Sequence, residues 1–292
     1  MIYAFIQAHP EHAVARWAPF LEVSTSGYYI WQREQKNRQA RENDYSAQVQ
    51  RIFEQSGGTY GADRVAGQLR KEGFSASFKK VKRIMNEQGL FSVHLRYQRS
   101  LTNSCGARDA DCPNLLRGAP EILPFQALSS DITYIPTQEG FAYTCTIRDL
   151  RSGIVLAEQT ASGMQKELVL DTIRSAVKNW KLEKGAIFHS DRGSQYTSKA
   201  VRECLRKLGF RQSFSRTGKP GDNTWSESFY SILKKELVHP IGRFRTREEA
   251  AQGIFSFIHG FYNTQRIQKR LSYLSPMEWL NRYYNSTFKF SA

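Results

Sequence analysis

The chain has 292 residues, 40% hydrophobic and 13% aromatic, which is enough to bury a core and excludes a wholly disordered protein. Its 42 lysines and arginines exceed its 27 aspartates and glutamates by 15, which favours a nucleic-acid partner over an ordinary basic cytosolic protein. The sequence has no apolar run of about 18 residues and no signal-peptide pattern, so we predict no membrane span and a cytoplasmic location.

The N-terminal region over 1–44 is predicted to be helical. Residues 12–32 show two short helical patterns separated by a stretch that ends at Gly27, and Ser24 is the predicted N-cap of the second helix. This outline fits a helix-turn-helix and an ordinary helical hairpin equally well. The polar, basic run 33–44 is predicted to be a solvated helix face or a linker.

Three helical patterns over 45–92 predict a helix-turn-helix-type DNA-binding domain. The third pattern begins near Phe78 and is strongly basic. Cations at the start of a helix can contact phosphates and base edges. The alternative is a dimerisation bundle with a charged outer face, but the agreement of charge and helical pattern favours DNA binding. The predicted DNA-binding residues here are Lys79, Lys80, Lys82 and Arg83.

Residues 93–122 lose helical periodicity and are predicted to be a linker, because this segment is rich in Ser, Asn, Asp, Gly and Pro. Cys105 and Cys112 lie within it, without a CxxC pair or a histidine at zinc-finger spacing. Free thiols in a reducing compartment are therefore favoured over a zinc site.

Residues 123–240 are predicted to form an α/β core. A first strand over 128–135 ends at Pro136, and the turn at Gly140 leads into a second strand, which predicts a hairpin. The order of elements predicts a mixed sheet in a ribonuclease-H-like layout, an analogy that by itself says nothing about chemistry. The remaining predicted elements are a strand over 153–159, a helix over 163–180, a strand over 186–189, a helix over 197–208, a strand over 210–215 and a helix that starts behind Asp222 and Asn223.

The C-terminal extension over 241–292 is predicted to be helical. Thr246 and Glu249 have the spacing of a capping box, and so do Ser275 and Glu278, with Pro276 at the first helical position. Both motifs mark helix starts.

Three acidic residues on separate predicted elements are the candidates for catalysis and metal binding. Asp131 lies in the first strand, Asp191 follows a short buried strand, and Glu227 lies on the last helix of the core, with 35 residues between it and Asp191. Taken alone, each of these residues could be an ordinary acid in a turn or on the surface. Together they suit two Mg²⁺ ions about 3.5–4 Å apart, the arrangement that neutralises a reacting phosphate. Lys234, two turns after Glu227, is a predicted DNA contact.

The predicted helix around Glu227 has two distinct faces. Glu227, Ser231 and Lys234 share one side of the helix. The predicted buried stripe on the other side consists of Trp225, Phe229, Ile232, Leu233 and Leu237.

Three blocks of the sequence resemble the catalytic blocks of DDE transposases with D,D-35-E spacing. They are 130-SDITYI-135, 188-FHSDRGSQYTS-198 and 221-GDNTWSESFYSILKKEL-237. The chain is similar to bacterial insertion-sequence transposases whose second reading frame encodes the catalytic part, and more distantly to retroviral integrases. Further resembling blocks lie at 23–31, 59–74, 81–90 and 262–279.

The chain departs from the family pattern at two places. Ala62-Asp63-Arg64 stands where a large residue and paired arginines are usual, and Gln268 stands where a histidine is usual. The zinc-binding domain of retroviral integrases is absent. The departures at 62–64 and at Gln268 affect only the expected details of DNA contact and any role of the usual histidine.

The resemblance implies a DNA transposase that cleaves the ends of its own element and joins the 3′-hydroxyls to a second strand. Asp131, Asp191 and Glu227 would bind two Mg²⁺ ions, replaceable by Mn²⁺, with Lys234 on DNA and no need for ATP. Implied partners are double-stranded DNA at terminal inverted repeats and at the target, further copies on paired ends, and the upstream-frame protein or a fusion with it.

Because the chain starts at Met1 without heptads, it resembles the second-frame product or the catalytic part of such a fusion. The implied location is the bacterial cytoplasm, at the nucleoid and not at a membrane. One alternative is a ribonuclease-H-like nuclease without joining activity. The other is a non-catalytic DNA-binding regulator, and the intact triad argues against this second alternative alone.

Overall fold

The computed structural model describes four stretches of the chain, which are residues 1–93, 114–116, 121–215 and 224–288. The side chains of 224–227 and 287–288 are outside that description. Cys105, Cys112 and most of the predicted linker lie outside the described residues. The chain divides into two compact units, Met1–Phe91 and Ser92–Ala292.

The described part of the first unit is helical. Its helices are α1 (Ile2–Ala8), α2 (Val14–Phe20), α3 (Thr25–Gln55), α4 (Ala62–Lys71) and α5 (Phe78–Glu87). The hydroxyl of Ser24 accepts a hydrogen bond from the Gly27 N–H at 2.9 Å, so the predicted N-cap of α3 is confirmed.

Helix α3 runs unbroken for 31 residues, so the run 33–44 lies in its middle and the linker interpretation is wrong. This run consists mainly of Arg, Glu, Gln, Lys and Ala, which form helices without a buried face. The side chain of Gln39 donates to that of Asn43 at 2.9 Å, one turn along the helix. The predicted solvated helix face is confirmed.

The C-terminal half of α3 packs with α4 and α5 into a small bundle. Apolar residues at three- and four-residue spacing form its core. The most deeply buried are Val49, Ile52, Val65, Leu69, Val81 and Ile84. The three helical patterns predicted over 45–92 are therefore confirmed as helices that share one core.

Five strands among the described residues of the second unit form one mixed sheet, in the order β3-β2-β1-β4-β5. They are β1 (Ala127–Thr137), β2 (Gly140–Asp149), β3 (Val155–Ala161), β4 (Ile187–Ser190) and β5 (Arg211–Phe214). The strands β1 to β3 are antiparallel neighbours, whereas β4 is parallel to β1 and to β5. This arrangement confirms the predicted ribonuclease-H-like mixed sheet.

Strand β1 continues past Pro136, the predicted end, to Thr137. Pro136 stands opposite Phe141 in the ladder with β2. A proline is tolerated there because it lies next to the end of the strand, where a missing N–H removes little pairing.

The helices of the second unit are α6 (Lys166–Asn179), α7 (Ser194–Thr197), α8 (Lys199–Leu208), α9 (Thr224–Leu233), α10 (His239–Ile241), α11 (Arg247–Phe255) and α12 (Pro276–Phe288). The π-helical segments Lys234–Val238 and Ser256–Tyr262 continue α9 and α11, and a 3₁₀ turn, Lys269–Leu271, precedes α12. None of the described helices is long and apolar enough to cross a membrane.

The two predicted capping boxes differ in one bond. At the start of α12, the Ser275 N–H donates to the Glu278 carboxylate at 2.9 Å and the Glu278 N–H donates to the Ser275 hydroxyl at 3.3 Å, which completes the box. At the start of α11, the Thr246 hydroxyl caps the helix through the Glu249 N–H at 3.0 Å. The Glu249 carboxylate, however, accepts from the N–H of Arg245.

Both faces of the sheet are covered, so the second unit has two cores. Leu128 on β1 faces the core beneath α6 and α8, together with Leu280 of α12. Ile135 faces the core beneath α9 and α11, together with Ile254. The odd-numbered side chains of β1 therefore face α9, because side chains alternate along a strand.

Candidate active site

Two of the predicted acids lie close to the parallel pairing of β1 with β4. The parallel pairing runs from Ala127 opposite Ile187 to Ser129 opposite His189. Asp131 and Asp191 each lie two positions beyond the last pair, Asp131 within β1 and Asp191 directly after β4, so their equivalent positions lead us to expect them close together. Asp131 is odd-numbered, so its side chain belongs to the face that α9 covers.

Asp191 lies in a tight turn that leaves its carboxylate partly buried. One carboxylate oxygen accepts the Gly193 N–H at 3.0 Å. Burial raises the pKa of Asp191, and the Gly193 hydrogen bond acts in the opposite direction. The carboxylate therefore gains stability from any positive charge placed next to it.

Helix α9 carries the third predicted acid across the sheet face. Phe229 and Leu233 are fully buried against β1 and β2, which confirms the predicted stripe at these two positions. Glu227 lies in the first turn of α9, and its side chain, like that of Trp225, is outside the described part of the chain.

Tyr230 fixes α9 to the strand that carries Asp131. Its hydroxyl donates to the backbone carbonyl oxygen of Asp131 at 2.5 Å and lies 2.9 Å from the hydroxyl of Thr146. Asp131 and Thr146 are direct cross-strand partners. Tyr230 could not be recognised from the sequence, because a tyrosine beside Phe229 signals only packing.

Tyr196 makes a similar contact from the other face of the sheet. This fully buried residue of α7 places its hydroxyl 2.9 Å from the hydroxyl of Ser130 and 3.7 Å from the sulfur of Cys145. Burial raises the pKa of Tyr196 and of Tyr230 well above the ordinary value, and the charge of Asp131 acts in the same direction. Both hydroxyls therefore keep their protons at neutral pH.

Lys234 lies two turns after Glu227, as predicted, and is half-buried beside the strand of Asp131. Its Nζ is 4.4 Å from the ring centre of Tyr134. Burial lowers the pKa of Lys234, and the charge of Asp131 raises it. The cation therefore lies within the electrostatic reach of the first acid.

A buried ion pair follows α9 and ties it to the C-terminal segment. Arg266 donates from Nε to one Glu236 oxygen at 2.7 Å and from Nη2 to the other at 2.5 Å. The side chains are 1% and 0% exposed. Sequence reasoning missed this pair, because charged residues on a basic helix are usually solvated.

The predicted DNA-binding cations of α5 divide into two groups. Lys79 and Lys82 are exposed. Lys80 places its Nζ 3.8 Å from the ring centre of Tyr45 on α3, and Arg83 forms ion pairs with Glu42 and Glu87. The second group therefore contributes to holding the bundle together.

A further cationic surface, which the sequence analysis did not single out, lies on α8. A surface depression of about 680 Å³ is lined by Thr197, Lys199, Arg202, Glu203 and Arg206. Glu203 pairs with Lys207 at 3.2 Å, one turn along the helix. The depression therefore favours an anionic ligand, and it begins a few residues after Asp191.

Known protein families match both units. A family described as "Integrase core domain" matches residues 123–220, and a second family of the same description matches residues 227–284. A family described as "HTH-like domain" matches residues 40–99.

Curated relatives match nearly the full length. The chain is 36% identical to the transposase for insertion sequence element IS904 of Lactococcus lactis, over 87% of this chain and 99% of that protein. It is 30% identical to the transposase InsF for insertion sequence IS3A of Escherichia coli, over 97% of this chain and 99% of that protein. Among solved structures, it is 18% identical to the catalytic core domain of BIV integrase. The match covers 56% of this chain and 98% of that chain, with a TM-score of 0.42.

Proposed function

Because this chain belongs to the family of insertion-sequence transposases with an integrase core domain, we propose that it cleaves the ends of its own mobile element and joins the 3′-hydroxyls to a second DNA strand. The enzymes of this family are polynucleotidyl transferases. The observation that supports the proposal is the β1–β4 register, in which Asp131 and Asp191 each lie two positions beyond the last pair, Ser129 and His189.

We assign Glu227 as the third catalytic acid from the geometry of α9. Tyr230 donates to the Asp131 carbonyl oxygen and Lys234 lies within electrostatic reach of the Asp131 carboxylate, so these two residues mark the side of the helix that faces β1. Glu227 is seven residues before Lys234, which is two turns and within about 20° around the helix axis. Its side chain is therefore expected on the side of Asp131.

Asp131, Asp191 and Glu227 would hold two Mg²⁺ ions, with Mn²⁺ as a substitute. The donor set fits, because Mg²⁺ prefers carboxylate oxygens and burial leaves Asp191 in need of a cation. When bound, the ions supply positive charge that stabilises the phosphate during transfer. Among the described residues no group of three possible ligands lies together, and the Glu227 side chain is outside that set.

The proposed reaction exchanges one phosphodiester for another. Water first attacks the phosphorus at the element end, which breaks the P–O bond to the 3′ oxygen and leaves a 3′-hydroxyl. That hydroxyl oxygen then bonds to a target phosphorus, the target strand's 3′ oxygen leaves, and the hydroxyl proton passes to it through solvent. No ATP is required. Lys234 supplies a cation for the phosphate beside Asp131.

A strand-joining assay separates this function from its alternatives. Pre-cleaved element-end DNA with Mg²⁺ is expected to give strand-transfer products, and products carrying two ends would report a multimer on paired ends. Arms with and without the upstream-frame protein test that partner. Ends with a dideoxy terminus lack the attacking hydroxyl and serve as the control. Hydrolysis without joining would identify a nuclease, and binding without either reaction would identify a regulator.

We propose that two cationic surfaces bind the DNA backbone. One is the exposed pair Lys79 and Lys82 on α5, which keeps part of the predicted DNA contact while Lys80 and Arg83 make contacts within the unit. The other is the α8 surface around Lys199 and Arg206. Each cation that neutralises a phosphate steepens the salt dependence of binding.

Replacing both lysines of the α5 pair with glutamine is expected to lower the slope of log affinity against log salt by about 1.8, because each phosphate contact contributes about 0.9. The slope is expected to fall by the same amount when Lys199 and Arg206 are both replaced. The measurement is affinity for element-end DNA across salt concentrations. Lys178 and Lys181, exposed at the end of α6, provide a control with equal charge loss. A pair whose loss leaves the slope at the wild-type value does not bind the backbone.

A further inference from the structure

Two tyrosine hydroxyls lie inside the second unit, one on each face of the sheet. Tyr196 and Tyr230 are 1% and 6% exposed. A phenylalanine would fill either site equally well, so packing alone does not account for the hydroxyls. A buried hydroxyl is stable only when it is hydrogen-bonded, and each of these has its partners on or beside β1.

The Tyr230 hydroxyl joins α9 to the backbone at Asp131. It donates to the Asp131 carbonyl oxygen at 2.5 Å, and the Thr144 carbonyl oxygen is 3.2 Å away. Tyr230 lies three residues after Glu227, which is about 4.5 Å along the helix axis. A contact this close to Glu227 limits both sliding and rotation of the first turns of α9 over the strand.

The Tyr196 hydroxyl joins the segment after Asp191 to the neighbouring residue of β1. Its partner is the hydroxyl of Ser130 at 2.9 Å. The backbone of Tyr196 is held as well, since Gln212 on β5 donates to its carbonyl oxygen at 2.9 Å. Helix α7, which directly follows the turn of Asp191, is thus held between β1 and β5.

The two contacts meet at consecutive residues of one strand. Ser130 and Asp131 point to opposite faces of β1, so Tyr196 reaches the strand from below α6 while Tyr230 reaches it from α9. The three segments that carry the proposed metal ligands are therefore tied to the same two residues. Lateral shifts of one segment against another would break one of these hydrogen bonds.

We propose that Tyr196 and Tyr230 are positioning residues that set the spacing of the Asp131, Asp191 and Glu227 carboxylates for two divalent cations. This inference rests on the proposed function of the three acids. Neither tyrosine touches DNA or metal in this assignment. Each acts through the segment that it ties to β1.

The test is Mn²⁺ binding to the full chain without DNA, measured by titration calorimetry. Tyr196→Phe and Tyr230→Phe are each expected to raise the dissociation constant for Mn²⁺ about tenfold, as is usual when a residue that orients a metal ligand is lost. Joining should then require more Mn²⁺ for half-maximal rate and recover toward the wild-type rate at saturation. Ser130→Ala should raise the dissociation constant for Mn²⁺ as much as Tyr196→Phe does. The double variant should bind Mn²⁺ no more weakly than either single variant.

Tyr262→Phe is the matched control. Tyr262 is 1% exposed, accepts from Arg148 Nη2 at 3.1 Å, and donates to the Gly153 carbonyl oxygen at 3.3 Å, so it loses a comparable buried hydroxyl. All three variants should lose similar thermal stability, but Tyr262→Phe should keep the wild-type Mn²⁺ affinity. A purely structural role would predict no difference among them.

Asp131→Asn separates this inference from the proposed function. If it abolishes Mn²⁺ binding while both tyrosine variants bind as tightly as the wild type, the positioning role is overturned and the metal site stands. If Asp131→Asn binds Mn²⁺ like the wild type, the proposed metal site is wrong and the positioning role falls with it.

Discussion

Replacing Glu227 with glutamine is expected to lower both end cleavage and strand joining by about 1,000-fold or more. Glutamine keeps the side-chain length and the helix propensity of α9, but it removes the negative charge that suits a Mg²⁺ ligand. Asp131→Asn and Asp191→Asn should cause losses of the same size. Because the three acids act as one unit, a double variant should be hardly worse than a single one. Single-turnover rates on element-end DNA give the measurement.

The matched control for this result is Glu248→Gln. Glu248 is exposed on α11, so the change removes the same charge from the same unit without touching the site. The Glu248→Gln enzyme is expected to cleave ends and join strands at the wild-type rates. A Glu227→Gln enzyme that joined strands within tenfold of the wild type, beside an inactive Asp131→Asn enzyme, would show that α9 does not supply the third ligand.

Much of the fold could be predicted because local signals mark the elements. The turn at Gly140 marks the β1–β2 hairpin, and the Ser275–Glu278 box marks the start of α12. Asp131 and Asp191 are recognisable for the same reason, since Asp131 lies in a strand and Asp191 directly follows one. The parallel register of β1 with β4, which relates their positions, is a property of the sheet that spacing along the chain does not reveal.

The alternation of β2 illustrates what a pattern leaves out. The sequence separates Cys145 and Ile147 on one face from Thr144 and Thr146 on the other, yet all four are buried. β2 is an inner strand with helices on both faces, so its threonines face a second core. A period of two identifies a strand, but it does not tell whether the polar face meets water.

The contacts that organise the site could not be predicted, because their partners are far apart in sequence. The hydroxyl of Tyr230 meets a carbonyl 99 residues away, that of Tyr196 meets a serine 66 residues away, and Arg266 meets Glu236 across 30 residues. Nothing local distinguishes these side chains from others of their kind. Their roles follow from which surfaces the sheet brings together.

Replacing Arg266 with alanine is expected to destabilise the second unit by about 3–5 kcal/mol. Glu236 would lose its guanidinium partner while its carboxylate stayed in the core, where charge is poorly solvated. For a unit of this size, the loss corresponds to a fall of about 10 °C in melting temperature. Thermal unfolding followed by circular dichroism provides the measurement. Lys207→Ala, which breaks the exposed pair with Glu203, should cost less than about 1 kcal/mol.

The double replacement Glu236→Leu with Arg266→Met distinguishes a stabilising pair from one that also orients the site. Apolar side chains of similar volume can replace a buried ion pair without loss, so the melting temperature should return close to that of the wild type. The segment that carries Glu236 continues α9, and a fixed end of α9 is expected to matter for Glu227. We therefore expect the double variant to regain its stability but to join strands more slowly than the wild type. Full recovery of joining would show that the pair contributes to folding alone.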